Sequence, residues 1–156
     1  MKEKEIDYYI YIDYSENLIG YAIIKKDKVN ALLPKISKLK HYKKLKYKRE
    51  YLNSMKKLFI RNEIDSYLLK FKIRKMRDNL DIYSDVLDFI KKDERKIFIS
   101  VDDKHHKKFK KFIRDFDGRI VKIEKEGQLK KGTKEYQMSL IVDTKLNLER
   151  RKQKKK

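Results

Sequence analysis

The sequence predicts an α/β domain, a mixed sheet with an antiparallel N-terminal hairpin and helices packed on it. Three observations carry this. Two β-rich runs meet at a polar turn near the N-terminus, a nearly continuous apolar run lies at KIFISVDD (residues 96–103), and segments with helical spacing separate and follow these runs. Strands that alternate with helical segments build a sheet whose later strands are joined by helical crossovers. A chain of 156 residues with 40% hydrophobic and 12% aromatic content supports one domain with a real core. We expect that domain over residues 1–150, a Lys-rich helical insertion at about 35–92 inside it, and a basic disordered tail at 151–156.

The first strand follows from alternation over 6–13, with Ile6, Tyr8, Ile10 and Ile12 on one face and Asp7, Tyr9, Tyr11 and Asp13 on the other. Ser15-Glu16-Asn17 supplies a turn, and Leu18 to Lys25 is the returning strand. A third strand is expected at Val29 to Leu33, stopped by Pro34. Beyond Tyr51 the spacing is helical, through Met55, Leu58 and Phe59, then Ile64, Tyr67, Leu68 and Phe71, as one long helix or two broken near Asn62. Asn79 opens another helix reaching Lys92, with Ile82, Val86, Phe89 and Ile90 inward and Asp81, Asp85 and Asp88 outward.

KIFISVDD reads as an interior strand covered on both faces, ended by Asp102 and Asp103. A helix follows from Lys104, with Phe109, Phe112, Ile113 and Phe116 on one side and Gly118 as terminator. Arg119 to Glu124 is a short strand. Gly127 and Gly132 bracket a basic loop, and Thr133 to Arg150 is a helix capped by Thr133 or, since Tyr136, Met138, Leu140 and Val142 alternate, a strand.

The formal net charge of +20 is relieved by a polyanion, which points to nucleic acid, with an anionic membrane surface as the weaker alternative. An assembly subunit facing an acidic protein is a third class. The chain has no cysteine, which excludes disulfides, thiolate zinc sites and thiol catalysis. No apolar run approaches the ~18 residues of a spanning helix, and MKEKEIDYY is too charged for a secretory signal. A soluble, cytoplasmic protein is the expectation. The abundance of Lys, Ile and Glu resembles proteins of heat-loving or AT-rich genomes. No Gly-rich phosphate loop, dinucleotide fingerprint or serine nucleophile elbow is present.

The candidate chemistry lies in carboxylates at element ends: Asp13, Asp102, Asp103 and Asp143. Ligands of such sheets gather at the carboxyl ends of strands. Clustered carboxylates in a basic protein suit Mg²⁺ or Mn²⁺ held against a phosphate. Each acid also has a plainer reading as a turn or cap residue, and Asp103 before the helix at Lys104 fits that role. DDKHH (102–106) combines carboxylate and imidazole, which suits a transition metal, but it also reads as a solvated first turn. The run from Lys38 to Tyr51 offers Lys43, Lys44, Lys46, Lys48 and Arg49 for phosphates, with Tyr42 and Tyr47 to stack on bases. Its scarcity of arginine favours backbone contact over base readout.

The order of elements, with YIDYSENLIGYAII as first hairpin, resembles the ribonuclease H-like superfamily of nucleases and integrases. The resemblance implies metal-dependent phosphodiester hydrolysis. Asp13 matches the first-strand ligand, Asp102 or Asp103 the fourth-strand ligand, and Asp143 the last-helix ligand if Tyr136 to Arg150 is helical. The superfamily often supplies a Glu from the helix after the third strand, for which Glu50 and Glu63 are candidates. A non-catalytic nucleic-acid-binding protein, of this fold or another α/β fold, is the alternative.

Overall fold

The computed structural model describes residues 5–92, 96–114 and 120–154. Its centre is a five-stranded mixed sheet in the order β3-β2-β1-β4-β5. β1 (Tyr8–Ser15) and β2 (Leu18–Lys25) form an antiparallel hairpin closed by Glu16 and Asn17, with Glu16 in the left-handed region at φ 53°. β3 (Lys70–Lys75) pairs antiparallel with β2, while β4 (Ile97–Val101) and β5 (Ile120–Lys125) continue the other side in parallel. The central strands are buried on both faces, so alternation sorts their side chains between two apolar clusters rather than between core and water.

Tyr9, Tyr11 and Phe98 belong to one cluster, and Tyr8, Ile10, Ile12, Ile97, Ile99 and Val101 to the other. The first is covered by α1 (Lys26–Leu32), α2 (Lys48–Arg61) and α5 (Lys134–Lys154), the second by α3 (Asn79–Lys92) and α4 (His106–Phe112). The longest helix, α5, begins where expected: the Tyr136 N–H donates to the Thr133 hydroxyl at 3.2 Å, and the Gln137 N–H donates to the Thr133 carbonyl. Helix, not strand, therefore carries Asp143.

Three segments differ from the sequence expectation. Val29 to Leu33 is not a strand but the end of α1 and a 3-10 turn (Leu33–Ile36), in which Val29, Leu32 and Ile36 share a buried side. Pro34 stands in the first turn, where its missing N–H costs nothing. Ile64, Tyr67, Leu68 and Phe71 do not extend a helix. The chain makes a 3-10 turn (Ile64–Tyr67) and then β3, whose Phe71 and Ile73 pack on the α5 side while Lys70, Lys72 and Arg74 carry charge along an edge strand. The expected insertion at 35–92 thus contains a strand of the sheet itself. Residues 151–154 are not a disordered tail but the last turn of α5. The expectations for Phe116, Gly118 and Arg119 lie outside the described residues, as do residues 155 and 156.

Candidate metal and phosphate site

Parallel pairing of β1 with β4 brings two acids together. Tyr11 faces Ser100 and Ile12 faces Val101 in register, and the Asp102 N–H continues the ladder by donating to the Ile12 carbonyl at 3.1 Å. Asp13 and Asp102 therefore stand side by side at the carboxyl ends of neighbouring strands. Both fall in the alternation that faces α5, and both are buried. From α5 comes Asp143, buried in the middle of the helix. The next parallel strand, β5, ends at Lys125, and Glu126 follows in a 3-10 turn (Glu126–Gln128).

Asp13, Asp102, Asp103, Glu126 and Asp143 line one cavity of 460 Å³. Lys43, Lys44, Lys104 and Lys131, all exposed, share that lining. The site is thus an acidic floor with a cationic rim.

The partners of each acid define the floor. The Asp13 Oδ1 accepts the Tyr14 N–H at 2.8 Å, and its carboxyl hydrogen-bonds that of Glu126. Burial, then the charges of Glu126 and Asp143, raise Asp13 well above the usual carboxylate range. Glu126 is pushed up to about 7, chiefly by burial, with its bond to Asp13 opposing and the charges of Asp143, Asp102 and Asp103 adding. Asp143 is raised by burial against the pull of the Tyr42 N–H, which donates to its Oδ2 at 3.0 Å, and of His41 and Lys43. Both carboxyls of this pair are thus held above the usual carboxylate range, because burial and the neighbouring negative charges disfavour ionising both.

Asp102 is held differently. Its Oδ2 accepts the His105 N–H at 3.1 Å and lies 2.7 Å from His105 Nδ1, while its buried Oδ1 has no hydrogen-bond partner among the described residues. Burial raises this carboxyl too, and His105 opposes the rise. The turn-capping role expected for Asp103 is filled by Asp102. Asp103 is exposed, and its Oδ1 accepts the Gly127 N–H at 2.8 Å, which ties the loop carrying Glu126 to the end of β4. DDKHH is a turn solvated only at Asp103 and Lys104: Asp102 is buried and His105 and His106 are half-buried, one on Asp102 and the other with Nε2 3.5 Å from the Ile123 carbonyl.

Glu50 and Glu63 are exposed, line neither this cavity nor its rim, and are not the additional acid. A fourth acid in the cavity, Glu126, comes instead from the turn after β5. The signal for it was the rule that selected Asp13 and Asp102, an acid directly after a parallel strand, applied to IVKIEKE. Of the expected nucleic-acid contacts, Lys43 and Lys44 reach the acidic cavity. Tyr42, Lys48 and Arg49 line a separate cavity beside it. Lys46 and Tyr47 are exposed, with the Lys46 ammonium 5.7 Å from the Tyr47 ring centroid.

The donor set, carboxylate oxygens with one buried oxygen unpartnered, is of the type a hard divalent cation takes. As the side chains stand, no group of three or more His, Asp or Glu among the described residues is gathered closely enough to hold an ion. Among the described residues no helix is long and apolar enough to cross a membrane.

No family model matches the chain, and no curated protein does. Among solved structures, the chain superposes on one titled "Structure of the PCNA:RNase HII complex from Archaeoglobus fulgidus", with a TM-score of 0.48 and 14% identity, covering 92% of this chain and 73% of that one.

Proposed function

We propose that this protein binds nucleic acid and hydrolyses phosphodiester bonds with one or two Mg²⁺ or Mn²⁺ ions held by Asp13, Glu126, Asp102 and Asp143. The observation that carries this reading is the convergence of these acids, from four separate segments, in one lysine-rimmed cavity. The strand order and the helical setting of Asp143 accord with the ribonuclease H-like resemblance drawn from the sequence. A bound divalent ion supplies charge to the phosphoryl oxygens and lowers the pKa of a water at the site.

The chain's own groups do the rest. Lys43, Lys44, Lys104 and Lys131 hold the phosphate over the acids and offset the charge that grows on it in the transition state. His105 fixes the Asp102 carboxyl with two contacts to one oxygen and leaves the other free to ligate. Asp143 is oriented by the Tyr42 N–H on Oδ2 at 3.0 Å and by Asn147 Nδ2 on Oδ1 at 3.4 Å. The raised Asp13 and Glu126 carboxyls would bind a cation in competition with protons, so metal binding would strengthen as pH rises.

The open spacing of the carboxyls favours a second reading, a nucleic-acid-binding protein without chemistry. Labelled single-stranded, duplex and branched substrates incubated with Mg²⁺ or Mn²⁺ separate the two. Cleavage that survives Asp13→Asn and Asp143→Asn undiminished places the chemistry elsewhere. Absence of cleavage with salt-sensitive binding retained establishes the second reading.

A further inference from the structure

Beside the acidic cavity lies a second one, of 370 Å³, which the chemistry above does not use. Lys48, Arg49, Arg150, Arg151 and Lys154 line it, and no acid does. Glu16 on the β1–β2 turn pairs with Arg150 and stands 3.9 Å from Lys154. Among the described residues no carboxylate pairs with Lys48, Arg49 or Arg151. Arg151 Nη1 instead donates to the Arg49 backbone carbonyl at 3.1 Å, which ties the last turns of α5 to the first turn of α2. Arg150 is fixed by Ser15 at 2.7 Å and Asn147 at 2.9 Å, and its buried Nε has no partner among the described residues. Five cations around one cavity with Glu16 as their one carboxylate partner among the described residues repel one another, and an anion entering the cavity offsets that repulsion.

Two residues join this cavity to the acids. Tyr42 lines it, with the Lys48 ammonium 5.2 Å from its ring centroid, while the Tyr42 backbone N–H is bonded to Asp143. Asn147 lines it as well and donates to the Asp143 carbonyl at 2.7 Å. The wall between acids and arginines is one residue thick.

We infer that this cationic cavity is a phosphate subsite, and that its ligand is a backbone phosphate of the same nucleic-acid strand whose scissile phosphate lies over Asp13 and Asp143. The inference rests on the proposed function for the second half of that statement only. The arginine pair supplies planar, multiply donating groups suited to phosphate oxygens, and Tyr42 offers a ring on the path between the two phosphates. A small free phosphate compound shares this chemistry, so the test carries an arm for each source.

Binding is measured in excess EDTA, where no cleavage occurs, by fluorescence anisotropy with a 5′-labelled 12-nucleotide single strand and by calorimetry with inorganic phosphate and pyrophosphate. The variant pair Arg49→Glu/Arg151→Glu is compared with Lys110→Glu/Lys111→Glu, which changes net charge equally at exposed positions of α4. The expected result is at least a tenfold weaker oligonucleotide affinity for the arginine variant. The slope of log affinity against log salt should also flatten by about 1 to 1.5, two single-strand phosphate contacts at roughly 0.7 each. The lysine control should lose less than threefold. Pyrophosphate binding that is tighter than oligonucleotide binding, and lost only in the arginine variant, assigns the subsite to a small phosphate compound and overturns the strand assignment. Equal losses in both variants, with circular dichroism melts unchanged, overturn the subsite itself. Failure of the cleavage reading leaves these outcomes readable, since none depends on metal or turnover.

Discussion

Glu126 is the acid whose environment makes the sharpest demand. Its ordinary value of 4.5 is pushed to about 7, with burial as the largest cause. Keeping it ionised in the fold therefore costs on the order of 1 to 3 kcal/mol in the metal-free protein, since part of the cost is shared with Asp13. The substitution Glu126→Gln removes that charge while keeping shape and a donor toward Asp13. Because the folded value is raised, the favourable contribution of the protonated carboxyl is fully present below about pH 4.5 and is lost as pH rises through 7. Wild type and variant should melt together at pH 5. At pH 8 in EDTA the variant should be more stable, by roughly 2 to 12 °C at the 2 to 4 °C per kcal/mol typical of a chain this long. The assay is thermal melting by circular dichroism at both pH values. Comparing the pair at each pH cancels the wider effect of protonating carboxylates in a chain of net charge +20. A variant that melts at or below wild type at pH 8, or gains as much at pH 5, refutes the crowded-carboxylate description of the floor.

Other expectations can be checked alongside. Millimolar Mg²⁺ or Mn²⁺ at pH 8 should raise the wild-type melting temperature, by the equivalent of about 2 to 3 kcal/mol at a hundredfold excess over the dissociation constant. Asp143→Asn should abolish most of that gain, and an undiminished gain places the ion elsewhere. His105→Ala removes the group that orients Asp102 and should lower metal affinity, read by the same melts, about 10- to 100-fold. His105→Asn, which can still donate to Asp102, should recover part of it. Gly20→Ala would put a Cβ 3.1 Å from the Lys72 carbonyl oxygen and 3.2 Å from Leu146 Cδ2. Where sheet and α5 press so closely the variant should lose about 1 to 3 kcal/mol in urea denaturation, and an unchanged midpoint shows that the helix can retreat.

Much of this architecture is legible in the sequence, and the places where it is not have physical reasons. The hairpin, β4 and α3 declare themselves because each has one clear pattern and a marked end, whereas the α5 segment alternates as well as repeating at helical spacing, and its Thr133 cap decides for the helix. The stretch containing β3 carries two periods at once. Ile64, Tyr67, Leu68 and Phe71 satisfy a helix while Lys70 to Arg74 alternate, and the edge of β2, which needs a partner, decides between them. Val29 to Leu33 misleads because β-branched and leucine residues before a proline suit a strand or a short helix equally. At the site, Asp13, Asp102 and Asp143 stand out as acids at the ends or in the middle of apolar elements. Glu126 is hidden among Glu124, Lys125 and Lys130, where an acid looks like ordinary surface. The Tyr42 N–H that holds Asp143 has no sequence signature, since a backbone donor across 101 positions depends on the path of the chain alone.

Helix α5 carries Asp143 near its middle and Arg150, Arg151 and Lys154 in its last turns, all on one uninterrupted rod. Eight residues of helix separate Asp143 from Arg151 in the chain, which fixes about 12 Å between them along the axis. If the arginines grip the strand and the aspartate marks where it is cut, the helix is a ruler. The distance from grip to cut is then set by counting residues, not by loop geometry. Inserting about one turn, roughly four residues, between Asn147 and Arg150 would move the cleavage position along the strand without touching the acids.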